Sequence, residues 1–331
     1  MTQAESRPPE EGARNRDRFA LIGAGPTGLA MAKTLAEQGV PFQGFELHSD
    51  IGGLWDIDGP RSTMYETAHL ISSKRMTEFA DFPMEESVAE YPSHRELKTY
   101  FQRFADHFDL RKHFLFETEI LRTEPLGGSG EGWRVAWRDK TGETHEDIFA
   151  GVVIANGTLS EPNMPDFEGE FSGELIHSSQ YRSPRQFDGK RVLVVGAGNS
   201  GCDIAVDAIH HGVSCDLSMR RGYYFVPKYV FGKPADTLGG AVKLPMWLKR
   251  KIDGMILKWF VGDPQKYGFP KPNYRLYESH PVVNSLILFH AGHGDIHIRA
   301  DIERFDGKTV YFRDGASGEY DMVLAATGYK L

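Results

Sequence analysis

Cysteine is nearly absent: there are two in 331 residues, Cys202 and Cys215, and neither belongs to a CxxC pair. That scarcity argues against a disulfide framework or a cysteine-rich zinc site and points to an intracellular, cytoplasmic home. Long apolar runs are missing as well, since no stretch approaches the ~18 apolar residues of a membrane-spanning helix. Residues 1–18, MTQAESRPPEEGARNRDR, hold no apolar h-region of a secretory signal and read as a disordered tail. Basic charge is in deficit, with 38 Lys and Arg against 46 Asp and Glu and a net charge of −8. Nucleic-acid phosphates demand a basic face, so a nucleic-acid binder is excluded.

What the chain has in excess is glycine, placed at strand-to-helix turns. Phe19 to Ile22 is a short apolar run, followed by Gly23-Ala24-Gly25-Pro26-Thr27-Gly28 and then by apolar residues at helical spacing as far as Gly39. A second apolar run, Val40 to Phe45, ends in Glu46. Strand, glycine turn, helix, strand and acid in that order predict a dinucleotide site. The first glycine makes the tight turn, the second lets backbone approach a pyrophosphate, and the third packs helix on strand. The helix N-terminus offers N–H groups to the phosphates, and Glu46 can accept hydrogen bonds from a ribose.

The pattern recurs. Arg191 to Val195 is a strand, Gly196-Ala197-Gly198-Asn199-Ser200-Gly201 repeats the GxGxxG spacing, a helix follows over 202–211, and a strand from Cys215 runs to Ser218. Here no acid ends the strand. Arg220 and Arg221 stand roughly where Glu46 stood, which suits the 2′-phosphate of NADP. Two dinucleotide sites in one chain predict an α/β fold of two Rossmann-type domains. A resident flavin, FAD, visited by a nicotinamide, NADPH, explains the pairing better than two nicotinamides. The expected boundaries are an FAD-binding domain over 19–160 and an NADP-binding domain over 161–329 with a helical insertion at 223–280. Between the turns, Ser93 to Glu96 is a capping box opening a helix with Leu97, Phe101, Phe104 and Phe108 on one face. Strands are expected at 115–122, 133–138 and 149–155, the first two joined by Gly127-Gly128-Ser129-Gly130.

Residues 171–181 read Phe-Ser-Gly-Glu-Leu-Ile-His-Ser-Ser-Gln-Tyr, which resembles the FxGxxxHxxxY fingerprint of the flavin-containing monooxygenase family on Phe171, Gly173, His177 and Tyr181. GAGPTGLA at 23–30, GGLW at 52–55, GAGNSG at 196–201 and Ala326-Thr327-Gly328-Tyr329 also resemble that family, in the same order. Baeyer–Villiger relatives usually carry Trp followed by Pro or Asp where Tyr181-Arg182 stand, so the resemblance is to the branch that oxidises heteroatoms. It implies that NADPH reduces FAD, that O2 adds to give a C4a-hydroperoxyflavin, and that one oxygen passes to a soft nucleophile, an amine nitrogen or thioether sulfur of a small substrate. It also implies that Gly53, Leu54 and Trp55 line the flavin, and that His177 braces the segment joining the domains.

Two departures stand out. Aligned on Ser72-Ser73-Lys74, the family's asparagine, which hydrogen-bonds NADP and the oxygen adduct, is replaced by Ile71. Ser72 or Ser73 could substitute, the adduct could be less protected, or a register shift could bring His69 there. An NADPH oxidase-like flavoprotein releasing H2O2, a Baeyer–Villiger enzyme, and a cofactor-binding remnant without turnover are the alternatives. The resemblance also implies a further segment after Leu331 that returns to the FAD domain.

Other features carry less. His290, His293 and His297 have helical spacing, but glycines interrupt it and His297 falls in a strand-like run, so no metal site is expected. Ser200 sits in GNSG, not in a GxSxG elbow. The basic amphipathic stretch 243–261, KLPMWLKRKIDGMILKWFV, is expected to pack against the substrate entrance or a second subunit, as in a homodimer, in preference to a membrane.

Overall fold

The computed structural model describes residues 16–128, 131–238 and 244–330. The expected tail, apart from its last three residues, and the Ser129-Gly130 tip of the glycine-rich turn lie outside them. Two compact units divide the chain. One runs to Ser62 and resumes over Arg95–Thr158, and the other comprises Thr63–His94 and everything from Leu159. Among the described residues no helix is long and apolar enough to cross a membrane.

In the first unit, β1 (Phe19–Ile22), α1 (Pro26–Glu37) and β2 (Phe42–Phe45) form the strand–helix–strand read from the sequence. The second strand starts at Phe42 and not at Val40, because Gly39 takes a left-handed φ of 64° after the helix and Pro41 has no N–H to give a ladder. α2 (His94–His107) buries Leu97, Phe101 and Phe104 on one face, and Phe108 lies just past its end. The strand expected at 115–122 is two strands. β3 (Phe114–Leu115) joins the parallel sheet β3-β2-β1-β7, whereas β4 (Glu119–Pro125) joins an antiparallel meander with β5 (Trp133–Arg138) and β6 (Thr144–Phe149). Glu117, at φ 53°, turns the chain from one sheet to the other. β7 (Gly151–Ile154) pairs with β1, and Val135 and Phe149 of the meander share a buried core with Ala20 and Phe45 of the parallel sheet.

In the second unit, β8 (Glu168–Phe171), β9 (Glu174–His177) and β10 (Arg191–Val195) precede α3 (Asn199–His211) and β11 (Ser214–Ser218). The insertion carries a short two-stranded ribbon and α4 (Met246–Phe260), and α5 (Leu286–His293) leads into β12 (Ile296–Arg299). β13 (Ile302–Gly307), β14 (Thr309–Phe312), β15 (Ser317–Glu319) and β16 (Met322–Ala325) complete the unit. A parallel sheet of order β12-β11-β10-β16-β9 adjoins a second sheet of order β15-β14-β13-β8. The period-2 alternation of a strand explains how they share a core. Val192 and Val194 of β10 face the cluster of Cys202, Ile204 and Ile287, while Leu193 and Val195 face Phe305, Val310 and Phe312. Both cysteines are free and buried in the first of these clusters.

Residues 63–94, expected within the first domain, are grouped with the second unit. The cause is a set of long-range polar bonds: Thr67 Oγ1 donates to Asp207 at 2.5 Å, Tyr65 OH to Asp203 at 3.4 Å, and the Ser73 N–H to Asp236 at 2.7 Å.

Candidate functional site

Each unit contains one glycine turn, and the two are near copies. The Gly23 N–H donates to Phe45 O and the Gly196 N–H to Ser218 O, both at 2.8 Å. Gly23 and Gly196 share a φ of 102°, a left-handed value that side chains avoid. A Cβ on Gly23 would lie 2.5 Å from Ala155 O, and one on Gly196 would lie 2.5 Å from Ala326 O. A Cβ on Gly28 would fall 1.9 Å from Gly23 O, and the same holds for Gly201 and Gly196 O. Gly25 and Gly198 are extended N-caps of α1 and α3 with no side-chain cap, so the first-turn N–H groups face outward as donors for an anion. At Gly23, Gly28, Gly196 and Gly201 backbone fills the space of a side chain, whereas a Cβ on Gly198 would meet nothing within 4 Å, so open space for a phosphate lies at the helix N-cap.

Around the first turn, Glu46 accepts from the Ala24 N–H at 2.6 Å through Oε2 and from the His48 N–H at 2.8 Å through Oε1. Each oxygen keeps a lone pair for a ribose hydroxyl. The Gly52 N–H donates to Ala24 O at 3.2 Å, and a Cβ on Gly53 would lie 2.7 Å from Gly25 Cα. Gly53, Leu54 and Trp55 form a single 3-10 turn lying directly on the dinucleotide turn. Pro26 opens α1 and Thr27 is exposed beside it.

At the second turn the shared strand-end bond makes buried Met219 the counterpart of Glu46, with Arg220 and Arg221 one and two positions beyond. The arginines differ. Arg221 lies 5.2 Å from the ring centre of Tyr223 and 5.4 Å from that of Tyr274, and the hydrogen bond to Tyr223 raises its pKa. Arg220 is exposed and makes no ion pair among the described residues. Asn199 Oδ1 accepts from the Val283 N–H at 2.8 Å, so that side chain is committed to a loop, whereas Ser200 is exposed.

The fingerprint residues organise the second unit. Phe171 ends β8, and a Cβ on Gly173 would lie 2.6 Å from Asp321 O. His177 Nδ1 accepts from the Ser179 N–H at 3.1 Å, so Nε2 carries the proton that it donates to Gly328 O at 3.0 Å. Burial lowers its pKa, consistent with a neutral ring tying down the Ala326–Tyr329 segment that backs Gly196. Tyr181 stacks on Phe187 and donates to Asp207 at 2.8 Å.

Residues 71–73 have three different surroundings. Ile71 is 42% exposed. Ser72 Oγ is 2.8 Å from Thr77 Oγ1. Ser73 is buried and its hydroxyl has no hydrogen-bond partner among the described residues. His69 turns to Thr67 O at 2.8 Å. Lys74 donates to the carbonyls of Glu85, Glu86 and Val88, closing the loop that follows.

Sequence reasoning missed the acids beneath this segment. Asp203 and Asp207, one turn apart on α3, look like ordinary helix charges until Tyr65, Thr67, Tyr181 and Asn284 are found on them. Burial pushes Asp203 up to about 6, against hydrogen bonds from Asn284 and Tyr65 and the field of Lys228, and burial raises Asp207 too. An unfolded aspartate loses its proton near pH ~4. The proton on folded Asp203 therefore contributes stability that is fully present below pH ~4 and is lost as pH rises through about 6. Asp203→Asn is expected to flatten that slope and stabilise the protein at pH 7.5, by up to about 3 kcal/mol. Thermal melts at pH 4.5 and 7.5 check this, and an equal loss at both pH values would contradict it.

His290 is held by Asp295 at 2.9 Å, and His297 lies on β12, away from the helical register of His290 and His293. Asp139, Glu143 and His145 converge on the β5–β6 turn, where Asp139 accepts from the Thr141 and Glu143 N–H groups. α4 buries none of its residues, and Trp247 and Trp259 are exposed on it. Its inner side, with Tyr223, Phe225 and Pro270, lines an apolar cavity through Gly254, Leu257 and Val261.

The family model described as FMO-like, flavin-binding monooxygenase-like, matches residues 16–331. The chain is 33% identical over 324 residues to the probable indole-3-pyruvate monooxygenase YUCCA9 of Arabidopsis thaliana, covering 94% of this chain and 74% of that protein. It is 31% identical over 333 residues to flavin-containing monooxygenase 5 of Mus musculus, covering 95% and 62%. The open crystal structure of cyclohexanone monooxygenase shares the fold with a TM-score of 0.75 at 21% identity, over 96% of this chain and 74% of that one.

Proposed function

Because the chain belongs to the flavin-binding monooxygenase-like family, we propose that it is an FAD- and NADPH-dependent monooxygenase that places one oxygen atom of O2 on a soft nucleophile, an amine nitrogen or a thioether sulfur. The observation that supports this most is the duplicated glycine turn with unlike strand ends, carboxylate in one unit and exposed arginine in the other. FAD fits the first unit, where the α1 N-terminus faces the pyrophosphate, Glu46 the ribose, and Gly53 to Trp55 the flavin approach. NADPH fits the second, where Gly196 to Gly201 take the pyrophosphate and Arg220 the 2′-phosphate. In this reading the FAD-binding domain is the first unit and the NADP-binding domain the second, with residues 63–94 belonging to the latter.

FAD held by the Gly23–Gly28 turn, Glu46 and the Gly53–Trp55 turn would supply hydride acceptance from NADPH and the activation of O2 for transfer of one oxygen atom. The protein's own contribution is positioning and exclusion of water, since early collapse of the adduct releases H2O2. Ile71 cannot donate a hydrogen bond, Ser72 is occupied by Thr77, and the Ser73 hydroxyl has no partner among the described residues. Of the two serines, Ser73 is the one with a hydroxyl left to offer in place of the absent asparagine. The lack of a hydrogen-bond donor at Ile71 favours one second reading, an oxidase-like flavoprotein that releases peroxide.

Rapid-scan absorbance of the FAD-loaded protein, reduced anaerobically with NADPH and mixed with O2, tests both. A transient adduct spectrum before oxidised flavin returns supports the monooxygenase, and direct return with stoichiometric H2O2 supports the oxidase. Ile71→Asn is expected to slow adduct decay about tenfold, the effect of one added hydrogen bond to a charged acceptor. An unchanged decay rate counts against that role for position 71. Amines, sulfides and small ketones belong in the substrate panel, with indole-3-pyruvate added because the plant relative bears that name.

A further inference from the structure

Two carboxylates, Asp50 and Asp56, bracket the turn Ile51-Gly52-Gly53-Leu54-Trp55. Asp56 is fully buried, yet its pKa lies below the usual carboxylate range: desolvation pushes it up, and the bonds from Lys98, the Asp58 N–H and His48 outweigh that. Lys98 Nζ is 2.7 Å from Asp56 Oδ1, and His48 Nε2 is 3.0 Å from Oδ2. Asp50 is held by Gln102 Nε2 at 2.7 Å and by Arg111 at 2.6 Å, and it accepts from the Ile51 N–H at 2.8 Å. Lys98 and Gln102 are four residues apart on α2, hence on one face of it. The stem of Lys98 also lies where a Cβ on Gly52 would meet its Cγ at 3.7 Å.

This polar stripe has no need to exist for the fold of α2, whose apolar face is already buried through Leu97, Phe101 and Phe104. It grips both ends of a turn whose glycines take φ values of 127° and 55°. That turn in turn lies backbone-on-backbone against Gly25. His48 completes the circuit, since its own N–H is bound by Glu46.

We propose that Lys98 and Gln102 are positioning residues of the flavin site: they hold the 51–55 turn against the dinucleotide turn, so that the two turns together form the surface on which FAD lies. The inference rests on the reading of the first unit as the FAD site. Removing the Lys98 charge leaves the Asp56 carboxylate buried with one partner fewer, and the turn relaxes to bring it water.

Lys98→Met keeps the aliphatic stem and removes the charge. FAD affinity by fluorescence quenching, the visible circular dichroism of bound flavin, and NADP+ affinity by calorimetry are measured well below the melting temperature. Lys98→Met is expected to weaken FAD binding about tenfold or more, the effect of losing one charged hydrogen bond, and to alter the flavin dichroism. NADP+ affinity is expected to stay unchanged, and Lys98→Arg to restore FAD binding in part. FAD affinity within twofold of wild type, with unaltered dichroism, overturns the proposal. Should Lys98→Met fail to fold, Gln102→Leu decides the matter through Asp50. A wild-type protein that binds no FAD overturns the reading of the first unit itself, an outcome distinct from equal binding by wild type and variant.

Discussion

Gly28→Ala is expected to empty the flavin site while sparing the nicotinamide site, and Gly201→Ala to do the reverse. The added methyl would sit 1.9 Å from the carbonyl oxygen of Gly23 or Gly196, far inside contact distance. Relief by moving that carbonyl is blocked, because the glycine that carries it is itself pressed against Ala155 or Ala326 and held at a φ of 102°. The helix must therefore lift from the strand and carry its N–H groups away from the pyrophosphate. Overpacking of this kind costs about 1–3 kcal/mol, occasionally more. Expressed in binding, that is a loss of roughly tenfold to more than a hundredfold. Flavin absorbance after purification and NADP+ calorimetry read the two sites separately, each serving as the folding control for the other. Full flavin retention in Gly28→Ala would mean that the first turn is not the FAD cradle.

Arg220→Ala is expected to raise the KM for NADPH about tenfold to a hundredfold, the effect of losing a charge-assisted bond to a phosphate, with the KM for NADH unchanged. The pair of arginines provides an internal contrast. Arg221 is already engaged by Tyr223 and Tyr274, so Arg221→Ala is expected to act mainly on stability, by about 1–2 kcal/mol of lost cation–π contact. Steady-state kinetics with both nicotinamides, alongside melting curves, separate the two. Equal losses with NADPH and NADH in Arg220→Ala would remove the 2′-phosphate role.

The twin turns were legible in the sequence because each glycine reports a contact made within its own strand–helix unit, and spacing records such local geometry. The helix of the second unit starts at Asn199, inside the motif, and not at 202, since the glycine turn is already its first turn. What could not be read was the membership of residues 63–94. Tyr65 and Thr67 find Asp203 and Asp207 about 140 residues downstream, and no local pattern marks such a pair. The break at Glu117 was hidden for a related reason: a run with continuous strand propensity was divided between two sheets by its partners. The Asp50 and Asp56 grips were equally silent, because a Lys and a Gln on a helix face are ordinary surface residues until something is found opposite them.

The wall behind each glycine turn has a consequence for the order of assembly. Gly23 is backed by Ala155 and Gly196 by Ala326, each at the far end of its own parallel sheet connection. Neither glycine turn is therefore complete when its motif leaves the ribosome. Closing such non-local pairings is slow compared with forming the adjacent helix. During synthesis the first cradle waits for β7 and the second for β16, so a nascent chain presents two finished helices with unfinished floors. A cofactor present at that stage has nothing to settle on until the returning strand arrives.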